Sequence, residues 1–345
     1  MLTTKLKKLS GLMLLGASLT LTGCDLFDND SDDSPSGTLA TFSGNALKGV
    51  LANADVNLYH YTDITNAVLS TTTDENGDYE LSGLLDDAGV YLISVTANDN
   101  TTMLCDVENC GTADAPIAFG ETVPSASLAG VELSNVTYVD DAEEAVTVNA
   151  QVNAVTSIAT ELYVSNLETT NPDLGAITAD DFTASQTAVT KTVAAIFGVE
   201  VTAHTNVFTL ELPNLNDPEE TAAADASESG FAIINAAVTT STSDNIAESI
   251  ATIVETAVVL TETDSSDPAY QEAASAWEDV QADVMAEAVV VSQNPEITLS
   301  EEAAEAVTEI EDAANEGVDL EEIEDAVEDA EDTVGNPTGG ESGGA

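Results

Sequence analysis

The chain has 345 residues and carries 64 Asp+Glu against 5 Lys+Arg, for a formal net charge of -59. So many carboxylates without cationic partners exclude binding of nucleic acid, phosphate groups and anionic lipid surfaces. They leave two compatible readings: a hydrated acidic surface suited to saline water, with cations as counterions, or capture of divalent cations or of a basic partner. The 43% of hydrophobic residues and a mean hydropathy of +0.04 are enough to build a core, so the charge does not imply a disordered chain.

Lys5, Lys7 and Lys8 precede an apolar run from Leu9 to Thr22 that is too short, and too interrupted by Gly, Ser and Thr, for a spanning helix. Residues 1–23 therefore read as an export signal. The sequence Leu21-Thr22-Gly23-Cys24 resembles the lipobox of bacterial lipoproteins. The resemblance implies that the Cys24 thiol is alkylated with diacylglycerol, that cleavage makes Cys24 the N-terminus, and that its amine is then acylated. Two or more acyl chains hold a protein on a membrane stably where one does not. The alternative is an ordinary secretory signal cut near Gly23, with a thiol at Cys24. The expected location is a membrane surface facing the periplasm or the cell exterior. Asp25 resembles the signal that retains lipoproteins in the inner membrane of enteric bacteria, a rule that varies between lineages, so inner and outer membrane both stay open.

Residues 24–38, rich in Asp, Ser, Pro and Gly, read as an acidic disordered tether. From residue 39 to 139 the texture is short β-rich runs between turn residues. Val56 to Tyr59, Val68 to Thr73, Asp78 to Leu81 and Val90 to Val95 are predicted strands. Asn76-Gly77 is expected to supply the positive-φ pair of a two-residue hairpin.

Gly44, Gly49, the run Ala54 to Leu58, Thr71 to Asp74, Gly77, Tyr79, Leu81, Leu84, Gly89, Tyr91 and Val95 form a pattern that resembles a carboxypeptidase regulatory-like domain. That group is a transthyretin-like or Cna-B-like β-sandwich, and the resemblance implies a non-catalytic spacer or adhesion-type module. Some relatives carry a lysine-to-asparagine crosslink. Lys48 lies in the loop after the first strand rather than within it, so the crosslink does not carry over.

Cys105 and Cys110 follow at a short polar spacing, and export to an oxidising compartment predicts a local disulfide that contributes about 2 kcal/mol. Asp106 and Glu108 would raise the thiol pKa values and oppose a redox role, and no further soft ligands exist for a metal site.

After about Val148 the apolar period changes from two to 3.6, and residues 140–299 are expected to form an α-helical domain. One stripe is Val152, Val155, Ala159, Leu162 and Tyr163; another is Phe182, Val189, Val193, Ile196 and Phe197, started by a Thr178-to-Asp181 capping box and stopped by Gly198. Asp217-Pro218 opens a helix expected to run through Ile233 and Ile234. Ile246, Ile250, Ile253, Val254 and Val258 mark the next. Asp267-Pro268 opens one that carries Trp277, Val280 and Val284. Residues 300–334 are expected to form an acidic helical hairpin, from Ser300 to Gly317 and from Asp319 to about Thr333, and residues 335–345 a disordered tail.

The fold class expected is thus β then α in a multi-domain chain. The layout resembles a group of bacterial lipoproteins with a lipobox, a regulatory-like sandwich, a Cys-x4-Cys segment and a helical domain, a resemblance that implies no activity.

Catalytic residues have little to stand on. His60 and His204 lie in different expected domains, and the chain has no Gly-x-Ser-x-Gly elbow, His-Glu-x-x-His motif, phosphate loop or dinucleotide glycine signature. Asp74, Asn76 and Asp78 alternate as in a calcium loop, but the glycine comes two residues early for an EF-hand and no bidentate Glu follows. Paired acids such as Asp140-Asp141 and Glu143-Glu144 carry little information in so acidic a chain, and Trp277 is expected in the core or a groove. No catalytic, cofactor or metal site is expected. The expected role is non-enzymatic binding or scaffolding at the cell envelope, with an envelope protein or an apolar ligand as partner. The alternative is an accessory lipoprotein of an uptake system that holds an apolar ligand or docks on an outer-membrane channel.

Overall fold

The computed structural model describes residues 37–112, 114–140, 145–170, 177–238, 246–262, 268–301, 303–316 and 326. The export signal, Cys24, most of the tether, the second acidic helix and the tail lie outside the described residues, as do Asp141, Glu143 and Glu144. Strands fill the N-terminal half and helices the C-terminal half.

Eleven strands are described: β1 (Thr38–Leu47), β2 (Leu51–Ala52), β3 (Asp55–His60), β4 (Leu69–Thr72), β5 (Asp78–Leu85), β6 (Gly89–Thr96), β7 (Thr102–Leu104), β8 (Thr122–Val123), β9 (Glu132–Val139), β10 (Val146–Asn149) and β11 (Val152–Asn153). An antiparallel sheet runs in the order β4-β3-β6-β9, and β2, β7 and β8 form a small sheet of their own. In the third sheet β5 pairs antiparallel with one edge of β1, while β10 and β11 pair parallel with the other edge. Phe42 of β1 meets Tyr91 of β6 with ring centroids 6.3 Å apart, and both are buried in one continuous core.

Residues 146–153 therefore belong to a sheet built on β1. The expected boundary between residues 139 and 140 cuts through that sheet, and the helices start at Ala154. The physical reason is visible in β10, where Val146 and Val148 alternate with exposed Thr147 and Asn149 at the period of a strand. Between β10 and β11 the pairing is interrupted at Gly44, where a Cβ would lie 2.0 Å from the Ala150 carbonyl oxygen. Asn45 bridges the gap by donating its backbone N–H to Gln151 Oε1 at 3.0 Å.

The Asn76-Gly77 turn also differs from expectation. Only Gly77 has a positive φ, 81°, and the turn links β4 of one sheet to β5 of the other instead of closing a ladder hairpin. The Asp74 carboxylate takes the place of the second positive-φ residue: its Oδ1 accepts from the backbone of Asn76 at 2.7 Å and of Asp78 at 3.0 Å.

The helices are α1 (Ala154–Thr170), α2 (Ala179–Phe197), α3 (Pro218–Ala223), α4 (Ala226–Ala237), α5 (Ile246–Glu262), α6 (Pro268–Ser292) and α7 (Ala303–Glu316). Asn153 and Thr156 cap α1 reciprocally, each side-chain oxygen accepting from the other's backbone N–H at 2.8 Å. From Ala154 to Thr160 every residue of α1 is buried, so this stretch of the helix has no solvent face. It packs on β9 and against α2, α4 and α5. Thr178 and Asp181 form the expected capping box of α2, which ends at Gly198.

The helix opened by Asp217-Pro218 is not continuous to Ile234. Asp225 starts a second capping box with Glu228, so the chain breaks at Ala224 and re-enters as α4. The described acidic helix, α7, packs on α4 and α6 through Ala303, Ala306 and Ile310. It is thus packed into the helical layer, and the second helix of the expected hairpin lies outside the described residues.

Candidate functional site

Two polar constructions interrupt the apolar core. The first joins the halves of the chain at Lys48, which is 0% exposed in the turn after β1. Its ammonium donates to the backbone carbonyls of Asn235 and, at 3.1 Å, Ala236, the last residues of α4. A cation is favoured at that helix end by the dipole and by the unpaired carbonyls. Asn235 completes the joint: its Oδ1 accepts from Ala154 N–H at 2.9 Å and its Nδ2 donates to the Leu47 carbonyl at 3.2 Å. Both ends of the carboxamide are satisfied. Asp106 accepts from Gly49 N–H at 2.6 Å beside them.

Burial lowers the Lys48 pKa to about 8, against the opposing pull of Asp106 and Glu287. Glu287 on α6 is pushed up by burial and by Glu108 and Asp106, with Lys48 acting the other way. Cys105 and Cys110 are brought together with an S–S distance of 2.16 Å, in the same loop that carries Asp106 and Glu108. The hydrogen bonds of Lys48 and Asn235 each tie one structural element to another.

The second construction is a cleft of about 420 Å³ where the edges of two sheets meet α2. Its lining is Asn135 to Tyr138 of β9, Val146 to Asn149 of β10, and Ala179, Phe182, Thr183 and Gln186 of α2, completed by Asp140, Ala150, Phe208 and Thr209. β9 has only β6 as a strand neighbour and β10 only β1 among the described residues, so both present an outer edge to the cleft. Tyr138 and Phe182 lie with ring centroids 5.6 Å apart, and Tyr163 behind them contacts both Phe182 and Phe208. Burial, with Asp140 and Asp181 adding to it, pushes the Tyr138 phenol up.

Most polar groups of the cleft already have partners. Gln186 accepts from Asn206 at 3.0 Å and donates to the Val136 carbonyl, Tyr138 donates to the Ile177 carbonyl at 3.3 Å, and Asn149 accepts from Gln151 at 2.7 Å. Asn135 differs. It is 1% exposed, and its Nδ2 donates to the Gln151 and Phe208 carbonyls, at 2.7 Å for the latter, while its Oδ1 has no hydrogen-bond partner. A buried acceptor left unpaired costs about 1–3 kcal/mol.

The residues singled out from sequence fall elsewhere. His60 is held on β3 by Thr62 at 2.7 Å and edge-on to Tyr91, and His204 is exposed in the connection before α3. Neither lines the cleft. Trp277 is 0% exposed and packs edge-on against Phe197 in the core. Asp74 is engaged with its own turn, and no group of three or more metal-ligating side chains occurs among the described residues. No helix among them is long and apolar enough to cross a membrane.

Asn135, Gln186 and Phe208 escape a reading of the sequence. The one signal is Ser134-Asn135 in the middle of β9, two adjacent polar residues at positions where both strand faces are covered.

The chain matches no known protein family, and no curated protein matches it.

Proposed function

We propose that this is a lipid-anchored cell-envelope protein with a non-enzymatic binding role, and that the cleft beside Asn135 is its recognition site. The observation that carries the binding role is the cleft of about 420 Å³ itself, lined by Tyr138 and Phe182 where neither β9 nor β10 has a further strand neighbour among the described residues. Clefts of a few hundred Å³ with an apolar wall and a few placed polar groups are of the size that takes small ligands. The anchor is proposed from Lys5, Lys7, Lys8 and the Leu21-to-Cys24 sequence. The strand-rich first half is proposed to be a transthyretin-like sandwich, on the glycine, tyrosine and turn pattern between Gly44 and Val95.

A second reading, an accessory lipoprotein of an uptake system, draws support from the aromatic wall of Tyr138, Phe182 and Phe208, which suits an apolar ligand in transit. Growth with labelled palmitate, followed by fractionation and mass spectrometry of the purified protein, tests both parts. The anchored reading predicts labelled, membrane-bound protein that becomes unlabelled and soluble in Cys24→Ala. A variant that stays labelled removes the anchor. A small apolar molecule co-purifying with wild-type protein, and lost on Thr183→Trp at the cleft mouth, favours uptake over scaffolding.

A further inference from the structure

The two strand edges at the cleft are not alike, and the difference sets what can enter it. We infer that the cleft binds an extended peptide segment of a partner protein, which adds to β10 as a further strand. The inference rests on the cleft being the recognition site, as proposed above, and names the class of its occupant.

Ala150 N–H donates to the Ser43 carbonyl at 2.9 Å, in line with the parallel register of β10 on β1. Backbone bonds alternate between the two edges of a strand, so the peptide groups of Val146 and Val148 point to β1 and those of Thr147 and Asn149 point outward, to the cleft. No hydrogen bond to these outward groups occurs among the described residues. The edge of β9 is different. Ser134 N–H donates to Ser157 Oγ at 2.9 Å, the Ser134 carbonyl accepts from Thr156 Oγ1 at 2.9 Å, and the Val136 carbonyl accepts from Gln186 Nε2 at 3.4 Å, so side chains of α1 and α2 close it.

Open edges are usually guarded by Pro, Lys or a bulge, and Val146-Thr147-Val148-Asn149 carries none of these. Donors and acceptors that recur every second residue along about 13 Å of strand are matched by another extended chain. Half-buried Val146 and Val148, with Tyr138 across the cleft, give its alternate side chains an apolar place. A second copy of this protein is a poor occupant, because two chains of formal charge -59 repel each other, whereas a neutral or basic segment meets no such barrier.

The test is titration of the full-length protein in detergent with a blocked, uncharged heptapeptide, alternating valine and threonine between terminal glutamines. It is expected to saturate one site and to slow amide exchange at Thr147 and Asn149, while Val148, bonded to β1, changes least. Methylating the backbone nitrogens of the valines removes donors along one edge of the peptide, and methylating those of the threonines removes them along the other. One methylated peptide should bind about tenfold or more weakly and the other like the parent, since only one edge meets β10. Thr147→Pro removes an outward N–H, where an edge strand tolerates proline, and should weaken binding about tenfold or more. Thr183→Trp, at an exposed position of the cleft, should abolish it.

Equal behaviour of the two methylated peptides, or no effect of Thr147→Pro, in binding that Thr183→Trp abolishes, would overturn strand addition and leave the cleft as a binding site. No peptide binding, or binding that Thr183→Trp does not change, would also overturn the inference. The cleft is then decided separately by 2-phenylethanol, which needs no strand edge: binding lost in Thr183→Trp keeps it as a site, and no binding removes it.

Discussion

Asn235 and Asn135 are both nearly buried, at 4% and 1% exposure, and each donates from Nδ2 to backbone carbonyl oxygen. They differ in one bond. Asn235 Oδ1 accepts from Ala154 N–H, whereas Asn135 Oδ1 accepts from nothing. The Lys48–Asn235 joint connects the end of β1, the start of α1 and the end of α4, and all its groups serve the fold. The Asn135 region borders a cleft, but its Oδ1 is sealed inside the wall and stays unpaired there. A satisfied polar cluster is thus a structural tie, and an unsatisfied one is a tie left one bond short.

The comparison is most strongly tested by deleting each carboxamide. Asn235→Leu orphans Ala154 N–H and the Leu47 carbonyl, two buried groups at about 1–3 kcal/mol each, so urea denaturation should show a loss of about 2–6 kcal/mol. Asn135→Leu also frees two carbonyls but removes an acceptor that was already unpaired. Its loss should be smaller by about 1 kcal/mol or more. Equal losses would mean that Asn135 is as structural as Asn235.

The next effect concerns the loop beside the joint. Replacing Cys105 and Cys110 together by Ser should cost about 2 kcal/mol, the value expected for so short a closed loop. Alkylation of the denatured, non-reduced protein should leave both residues unmodified until a reductant is added.

Lys48→Met should change stability by only about 1 kcal/mol near neutral pH, because relief of a buried cation offsets the loss of a donor to the α4 carbonyls. Its pH signature should be clearer. Burial lowers Lys48 to about 8 in the folded protein, from an ordinary value of 10.5. Between those values the unfolded chain binds more protons, so this group makes stability rise with pH. Burial raises Tyr79 and Tyr163, so above about pH 10 the unfolded tyrosines lose protons first and stability falls. Urea midpoints should climb above about pH 8 and then turn down in wild type, and the climb should vanish in Lys48→Met.

Local signals in the sequence are reliable where the structure is local. The capping box at Thr178 and Asp181 and the Asp217-Pro218 start are both found where residue types place them. Alternating apolar residues likewise locate β3, and short runs after turn clusters locate β5 and β6. Failures occur where a distant partner decides. Val146 to Asn149 becomes a strand because β1, about 100 residues earlier, offers it an edge, and a window of neighbouring residues cannot contain that fact. Asp225 and Glu228 formed a legible second capping box that the apolar stripe around Ile233 concealed. The cleft draws on β9, β10, α2 and the connection after α2, so its residues share no sequence spacing. Lys48, set aside from sequence because it lies in a loop, turns out to hold a helix end from nearly 190 residues away.

The smallest effect expected is on α7. Its Glu305, Glu309 and Asp312 sit at i, i+4 and i+7 without a cation between them, each pair repelling by a few tenths of a kcal/mol. Raising sodium chloride from about 0.01 to about 1 M should slow amide exchange across residues 303–316 more than across α1, which has no exposed charge in its buried span. Equal changes in both helices would show that charge repulsion does not set the stability of α7.

The contrast between the two asparagines can be read directly from their side-chain carboxamide signals in nitrogen-15 NMR, assigned by Asn135→Leu and Asn235→Leu. Titration of the full-length protein with 2-phenylethanol, a small apolar probe of the cleft, should shift the Asn135 signal saturably and leave Asn235 in place. Unchanged signals from both, or equal movement of both, would contradict the assignment of the Asn135 cleft as the binding site.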